Sequence, residues 1–387
     1  MSRSATLFFA PRGPYGPENV LVIAELGTSH GADPVKAGEL IDAAADSGAD
    51  CVKFQMVYAD EILHPNTGTV RLPGGDIRLY DRFKKLETDP SFYAGLKEKV
   101  ESRGLLFLCT PFGPRSAGDL KALSPEMVKI ASPELNYTSL LEELVSWGIP
   151  LLLSSGVSRL GDIEQALETV SGLYGTSVRP VPAGNSVPVC LLHCVTSYPA
   201  PGEDYNLRVL RSLRDVFGVP AGVSDHSLDP VLVPALGTAM GAAVIEKHFC
   251  LSREDPGLDD PIALPPEDFA AMTAAVRRAS SRGCEETLKE YAGEYGAERV
   301  ERILGDGIKR LAPSERANYE RTRRSIHALR DISPGEILDR GMFAVLRTEK
   351  ILRPGLPPSW EGLIAGKKAG NFIPAGEGIR LEDIYTS

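Results

Sequence analysis

The 387-residue sequence lacks long apolar runs, and none approaches the roughly 20 residues needed to span a bilayer. The apolar cluster near the N-terminus, Leu7 to Ala10, is too short for a signal-peptide core. Cysteine is sparse, with six residues and no Cys-x-x-Cys pair. Most lie in apolar runs, where a free thiol behaves as a small hydrophobe. We therefore predict a cytoplasmic protein without structural disulfides.

Positive charge is also in short supply, because 42 lysines and arginines face 52 acidic residues, for a net charge of −10. Such a chain lacks the broad basic surface that nucleic acids or acidic membranes require. A phosphate-binding loop of the Gly-x-x-x-x-Gly-Lys type is missing as well, which leaves a nucleotide-binding role without support. An anionic substrate would have to be bound by a local cluster of lysines.

Short β-rich runs, each with room for a helix after it, fill the first two thirds of the chain. Their continuous apolar character is typical of parallel strands that are buried on both faces. The predicted strands are Val20–Glu25, Cys51–Gln55, Leu105–Thr110, Met127–Ser132, Pro150–Ser154, Val189–Cys194, Val219–Ser224 and Ala243–Phe249. Eight such units predict an α/β fold, a (β/α)8 TIM barrel.

The pattern changes after residue 280, where a charged helical stretch precedes a tail punctuated by proline and glycine. The tail contains two similar strand-turn units, which predict a small, mostly β module. We predict a catalytic barrel over residues 1–281, a linker over 282–322 and a C-terminal domain over 323–387.

Polar residues cluster where the predicted strands end, which is where barrel enzymes carry their chemistry. Alternation along the eighth strand puts Glu246 and His248 on one face and Lys247 on the other. Packing does not explain so many ionisable groups, because a buried charge is tolerated only when it is paired. These strand-end residues are Glu25, Lys53, Gln55, Thr110, Lys129, Ser132, Ser154, Tyr198, Ser224, His226, Glu246 and His248.

Two of these residues, His226 and His248, are predicted to bind one divalent metal ion. Neutral imidazole is a common ligand of first-row metals, and adjacent strands can bring two imidazoles together. Two protein ligands leave open positions for substrate oxygens and water, which suits Mn²⁺ best, with Mg²⁺ or Co²⁺ as alternatives. Either histidine could instead be a structural hydrogen-bonding residue, and His30 is a third candidate for the site.

Together with these residues, nearly the whole chain resembles the sialic acid (N-acetylneuraminate) synthase family, whose members condense phosphoenolpyruvate with an N-acylated hexosamine. The resemblance also covers the tail, which is similar to the family's C-terminal antifreeze-like (SAF) domain. The matching stretches are IAELGTSHGADPVKAGELIDAAADSGADCVKFQ, VKIASPELN, LLLSSGV, LLHCVTSYPAPGEDYNL, GVSDHSLDP and AAVIEKHF.

The resemblance implies roles for individual residues. His226 and His248 match the metal ligands, and Glu25, Glu246 and His248 match groups beside the reacting atoms. Positions that hold phosphoenolpyruvate correspond to Lys53, Thr110, Lys129, Ser132, Ser154 and Ser224. Positions near the amino sugar correspond to Gln55, Tyr198 and Asp259.

The family resemblance also implies a homodimer, in which the C-terminal domain lays an arginine over the partner's sugar site. Two arginines in LRTEKILRPG are available for that role, and we favour Arg347 over Arg353 because it closes a strand-like run.

Departures from the family pattern leave the acceptor open. The chain has Ser29-His30-Gly31-Ala32 where the family commonly has Asn-His-Asn-Gly, and Thr196 where an asparagine is frequent. N-acetylmannosamine, its 6-phosphate and a di-N-acetylated sugar are all compatible acceptors. Two alternatives remain: a related condensation that makes deoxyheptulosonate or deoxyoctulosonate, and a non-catalytic sugar-binding relative.

Overall fold

The structure is a computed structural model that describes residues 15–72, 75–174 and 189–385. Within these residues, ten strands precede residue 250: β1 (Leu21–Gly27), β2 (Cys51–Met56), β3 (Thr69–Leu72), β4 (Gly75–Arg78), β5 (Leu106–Pro111), β6 (Val128–Ile130), β7 (Leu151–Ser154), β8 (Val189–Cys194), β9 (Ala221–Asp225) and β10 (Val244–His248). The helices of this region are α1 (Pro34–Asp46), α2 (Ala59–Ile62), α3 (Leu79–Lys84), α4 (Pro90–Ser102), α5 (Pro114–Ala122), α6 (Thr138–Val145), α7 (Leu160–Tyr174), α8 (Val209–Phe217), α9 (Leu232–Ala239) and α10 (Pro266–Arg282).

Eight of these strands form one parallel sheet in the order β5-β2-β1-β10-β9-β8-β7-β6. Each strand therefore neighbours the next barrel strand in the chain, and the last strand, β10, pairs with the first, β1. The two ends of the ladder, β5 and β6, also contact each other, so the sheet curls into a barrel. The remaining pair, β3 and β4, is a separate antiparallel hairpin. The predicted TIM barrel and its eight strands are confirmed.

The first crossover helix, α1, shows how local sequence sets an element. The Asp33 side chain accepts hydrogen bonds from the main-chain N–H groups of Val35 and Lys36, and Pro34 occupies the first turn. An apolar stripe that includes Leu40 and Ile41 is fully buried against the barrel. The start and the packing of this helix therefore follow from its local sequence.

After α10 the chain continues through helices α11 (Cys284–Tyr295), α12 (Ala297–Leu304) and α13 (Tyr319–Thr322). The interval predicted as a linker is therefore largely helical, and α11 packs against α9 and α10 of the barrel. The C-terminal part contains β11 (Arg324–Ala328), β12 (Phe343–Arg347), α14 (Glu361–Ile364), β13 (Lys368–Ala369) and β14 (Ile384–Tyr385). Two antiparallel pairs, β11 with β12 and β13 with β14, give it the small β architecture expected from the sequence.

All six cysteines are free, five of them buried and Cys284 partly buried. This agrees with the expected absence of disulfides. Across the described parts of the chain, no helix combines the length and apolarity that crossing a membrane requires.

Candidate active site

The barrel interior changes from apolar to polar along each strand. Leu21 and Ile23 of β1 belong to an apolar cluster inside the barrel, and Glu25 follows them on the same face. The same alternation carries β10 from Val244 to Glu246. One end of the barrel is therefore filled by apolar side chains, while the carboxyl ends of the strands present polar groups to a cavity of about 420 Å³.

The residues predicted for the site line this cavity, with the exception of the alternatives His30 and Arg353. The strand ends supply most of them, and Tyr198, Asp259 and Arg347 come from segments that lie over the barrel opening. The full predicted set is Glu25, Lys53, Gln55, Thr110, Lys129, Ser132, Ser154, Tyr198, Ser224, His226, Glu246, His248, Asp259 and Arg347.

A buried network of ion pairs occupies the floor of the cavity. The Lys53 ammonium lies 3.0 Å from Glu25 Oε2 and 3.5 Å from Glu246 Oε1. Lys129 donates to Glu246 Oε1 at 3.0 Å, and Ser224 Oγ donates to the same oxygen at 2.9 Å. The Gln55 amide donates to Glu25 Oε1 at 2.7 Å. Two lysines and two glutamates thus neutralise each other in a site almost closed to solvent.

The environment separates the pKa values of the two glutamates. Burial raises the pKa of Glu25, and the attraction of Lys53 opposes that rise only in part. Burial acts on Glu246 as well, but Lys129 and Lys53 together lower its pKa to about 2. Glu246 is therefore a permanent anion, whereas Glu25 is the glutamate closer to exchanging a proton near neutral pH.

Several buried polar atoms in the cavity have no hydrogen-bond partner within the described structure. They include the hydroxyls of Thr110, Ser154 and Thr196, together with Glu246 Oε2. Buried polar groups in proteins are normally satisfied, so unpaired hydroxyls that surround two lysines indicate a site for a polar ligand.

The two predicted metal ligands lie side by side, with ring centroids of His226 and His248 5.5 Å apart. The Tyr198 ring covers His226 at 4.3 Å, and Asp259 Oδ2 lies 3.9 Å from His248 Nδ1. Burial lowers the pKa of His248 well below its usual range, so that imidazole is neutral. Burial acts on His226 in the same direction, but Cys194 outweighs it and raises the pKa of His226 to about 9.

Residues of the C-terminal part close the opening of the same chain's barrel. Arg347 makes two bonds of 2.9 Å to Glu134, one to each carboxylate oxygen. Arg324, at the start of β11, is fully buried and also donates to Glu134, at 2.9 Å. Glu134 follows β6 of the barrel, so one carboxylate joins two arginines of the C-terminal domain to the rim.

Two sequence candidates lie elsewhere. Arg353 pairs with Asp383 at 2.6 Å inside the C-terminal domain and does not line the cavity. His30 packs 5.1 Å from the ring of Phe92, with Nδ1 accepting from the Ala32 N–H, and it does not line the cavity either.

Some residues that line or support the site were not predicted from the sequence. Glu349 and Lys350 line the cavity just after β12, and Glu349 holds a left-handed backbone with φ +54°. Glu134 lay within the matching stretch VKIASPELN, but its partner arginines are about 190 and 213 residues away. A non-glycine residue with positive φ cannot be read from sequence either.

Comparison with known proteins agrees with this architecture. The family described as "NeuB family" matches residues 40–286, which is more than half of the chain. The protein belongs to the NeuB family. A second match, to the SAF domain, covers residues 323–384 and confirms the resemblance of the C-terminal part.

Individual NeuB relatives match almost end to end. An N,N'-diacetyllegionaminic acid synthase of Legionella pneumophila is 32% identical over 367 residues, covering 94% of each chain. A pseudaminic acid synthase of Campylobacter jejuni is 30% identical over 373 residues, covering 95% of this chain and 97% of the relative. The crystal structure of the spore coat polysaccharide biosynthesis protein SpsE of Bacillus subtilis superposes with a TM-score of 0.77 at 30% identity, covering 95% and 96%.

Proposed function

We propose that this NeuB-family protein is a nonulosonic acid synthase, which condenses phosphoenolpyruvate with an N-acylated hexosamine and water and releases phosphate. The observation that carries the proposal is the cavity in which Lys53, Lys129 and unpaired hydroxyls face the His226–His248 pair. The names of the matched Legionella and Campylobacter relatives, both synthases of such acids, support the same reaction class.

The phosphoenolpyruvate site in this proposal is the lysine end of the cavity. The carboxylate and phosphate of phosphoenolpyruvate need cationic donors, which Lys53 and Lys129 supply. Hydroxyls of Thr110, Ser132, Ser154 and Ser224 surround these lysines. Because the lysines are paired with Glu25 and Glu246, substrate binding must redistribute these ion pairs rather than fill an unpaired positive site.

The donor set fits one divalent metal ion, for which Mn²⁺ is our first choice and Mg²⁺ or Co²⁺ the alternatives. His226 Nδ1 donates to the Val195 carbonyl at 2.8 Å and so keeps its proton, whereas a metal at Nε2 would have to displace the second proton that a pKa of about 9 implies. The described residues contain no group of three or more histidine, cysteine or acidic side chains arranged for a metal. Two imidazoles therefore form the proposed protein contribution, and a bound ion would polarise the sugar aldehyde as a Lewis acid.

We propose that Glu25 is the general base, which accepts a proton during the reaction. C3 of phosphoenolpyruvate attacks the open-chain aldehyde, and water then adds at C2 before phosphate leaves. A carboxylate whose pKa is raised by burial is suited to accept a proton from that water. The Gln55 amide and the Lys53 ammonium hold the Glu25 carboxylate in a fixed orientation.

The acceptor end of the cavity favours an uncharged sugar over a sugar phosphate. Asp259 and Glu349 place two carboxylates there, and of the described cations that accompany them Lys350 lies 3.9 Å from Glu349 and Arg347 is already paired with Glu134. A second phosphate would stand close to these carboxylates and to phosphoenolpyruvate, which is unfavourable in a poorly solvated site. N-acetylmannosamine and a di-N-acetylated hexosamine are the proposed acceptors.

A homodimer belongs to the proposal as well. In the described chain, the C-terminal domain covers the barrel of its own chain through Glu134, Arg324 and Arg347. The same contacts would serve equally between two protomers, and the exchange implied by the family resemblance remains a prediction. Light scattering after size-exclusion chromatography distinguishes monomer from dimer.

The test is phosphate release from phosphoenolpyruvate with Mn²⁺, with N-acetylmannosamine, its 6-phosphate and a di-N-acetylated trideoxyhexose offered in parallel. We expect release with one of the two uncharged sugars. Silence with all three, in protein shown to bind Mn²⁺, would favour the sugar-binding relative. Glu25→Gln should abolish turnover, and undiminished turnover would exclude the proposed proton role.

A further inference from the structure

A second cleft lies outside the barrel opening, between the start of α7 and the segment that connects α12 to α13. Its volume is about 840 Å³, larger than that of the active-site cavity. Among the described residues, five cationic side chains and one carboxylate, Glu320, line it. The cations are Arg159, Lys309, Arg310, Arg316 and Arg321.

Most of these cations lack a direct ion pair, although Glu315 and Asp162 act on Lys309 from a greater distance. Arg310 pairs with Asp306, whereas the other four have no ion pair within the described parts of the chain. Arg321 donates to main-chain carbonyls, at 3.0 Å and 2.8 Å, and the Arg159 guanidinium lies 4.7 Å from the centre of the Tyr319 ring. Carbonyls and aromatic rings stabilise a cation without cancelling its charge.

This concentration of positive charge is unusual for a protein whose net charge is −10. A concave surface focuses the field of the charges that line it, and so attracts small anions. Guanidinium groups match phosphate oxygens geometrically and can bind them with two parallel hydrogen bonds. An extended polyanion fits less well, because the acidic remainder of the surface would repel it.

The cleft is connected to the active-site rim by direct hydrogen bonds. The Lys309 ammonium donates to the Ser155 carbonyl at 2.9 Å, and Ser155 follows the cavity residue Ser154. In the same connecting segment, buried Glu315 accepts from the N–H groups of Val157 and Thr196, both at 2.9 Å. These bonds hold the loop after β7, which directly follows Ser154, and the loop after β8, which contains Thr196.

The loop after β7 has a strained conformation that depends on this support. Val157 is β-branched and nevertheless adopts φ +42°, which L-residues with bulky side chains rarely do. Such a conformation persists only where the surroundings enforce it. A ligand that moves Lys309 or the connecting segment would therefore change the position of Ser154 and Thr196.

We infer that this cleft is a regulatory binding site for a small phosphorylated molecule that carries at least two negative charges. Arg159 and Arg316 form its anion-binding walls, and Lys309 and Glu315 transmit occupancy to the rim of the active site. Anion binding itself is independent of the proposed synthase function, whereas the regulatory effect rests on it.

Binding is tested first, by calorimetry with inorganic pyrophosphate as the probe and metal-free full-length protein. A Lys53→Met background weakens anion binding in the active-site cavity, and loss of the remaining binding on substitution of Arg159 and Arg316 then assigns that binding to the cleft. We expect the double substitution of Arg159→Glu and Arg316→Glu to weaken the binding of pyrophosphate at least about tenfold. The matched control is Arg340→Glu with Lys85→Glu, two exposed cations without ion pairs in the described structure, which should change binding by no more than about twofold. Equal weakening in both pairs, or no binding by the Lys53→Met protein, would overturn the inference.

The second measurement needs no active-site variant, and so remains valid if Lys53→Met does not fold. Phosphate release is measured at fixed free Mn²⁺, with and without pyrophosphate, over a range of phosphoenolpyruvate concentrations. Binding in the cleft changes kcat, and the effect disappears in Arg159→Glu/Arg316→Glu while basal turnover is retained. Purely competitive inhibition that survives the double substitution would place pyrophosphate in the active site and reject the regulatory site.

Discussion

Substitution of Glu134 by glutamine should loosen the C-terminal domain from the barrel. Glu134 is fully buried and faces the guanidinium groups of Arg324 and Arg347, whose side chains are 0% and 14% exposed. Glutamine keeps the shape of the side chain but removes the charge that both arginines share. The variant therefore leaves two cations close together without their common anion.

The expected magnitude follows from these contacts. Removing one partner of a buried ion pair typically costs about 3–5 kcal/mol. Arg324 keeps three main-chain acceptors, the carbonyls of Glu61, Phe112 and Val345, which moderates the loss to about 3 kcal/mol. The equilibrium constant for undocking should then rise on the order of a hundredfold.

Hydrogen exchange at the β11 amides, compared with amides of β1 in the barrel, measures this change. We expect faster exchange in β11 of Glu134→Gln, unchanged exchange in β1, and a raised KM for the acceptor sugar. The control is Glu143→Gln, which breaks an exposed pair with Lys121 and should cost less than about 1 kcal/mol. If the β11 amides exchange at the same rate in both variants, the ion pairs of Glu134 with Arg324 and Arg347 do not hold the domain on the barrel, and the reasoning fails.

Three further substitutions test the active-site cavity. Burial and Glu25 raise the pKa of Asp259 to about 6, so its favourable contribution is present at low pH and is lost as pH rises through that value. The free energy of unfolding of Asp259→Asn, measured by chemical denaturation, should therefore exceed that of the unsubstituted protein by about 2 kcal/mol at pH ~8 and by almost nothing at pH ~4. A difference that does not change with pH would contradict this. In Gly156→Ala the new Cβ would collide with Thr196 Oγ1 and approach Ser132 Oγ at 2.9 Å, so phosphoenolpyruvate affinity should fall with a stability loss of about 1–3 kcal/mol; unchanged titration of this ligand would refute it. His226→Gln should weaken Mn²⁺ at least about tenfold by calorimetry, whereas His30→Gln should not, and equal affinities would remove the histidine pair from the metal site.

The barrel could be predicted because its signal is local. Buried runs such as Leu151–Ser154 recur with space for a helix between them, and a parallel closed sheet is the arrangement that buries them all. The polar strand ends could be found for the same reason, since alternation fixes which side chains share the interior face with Leu21 and Ile23. Strand identity and side-chain direction together bring Glu25, Lys53 and Glu246 to one place.

The closure of the site could not be predicted in the same way. Arg347 was chosen over Arg353 because it ends a strand, yet its partner Glu134 depends on how two domains dock. Whether a lysine in a loop lines the cavity likewise depends on the tertiary structure, as Lys350 illustrates. His30 was a third candidate for the site, but the turn after β1 directs it towards Phe92.

The ion-pair network at the cavity floor is better explained by ligand binding than by stability. Burying two lysines and two glutamates costs more in desolvation than apolar residues of similar volume would, and Glu246 Oε2 has no partner within the described residues to offset that cost. Packing alone would select against such a cluster inside a barrel whose other layers are apolar. A substrate with two anionic groups would reverse the balance, because it would supply acceptors to both lysines. The arrangement is therefore unfavourable for the free protein and favourable for the complex, as expected of a site selected for binding.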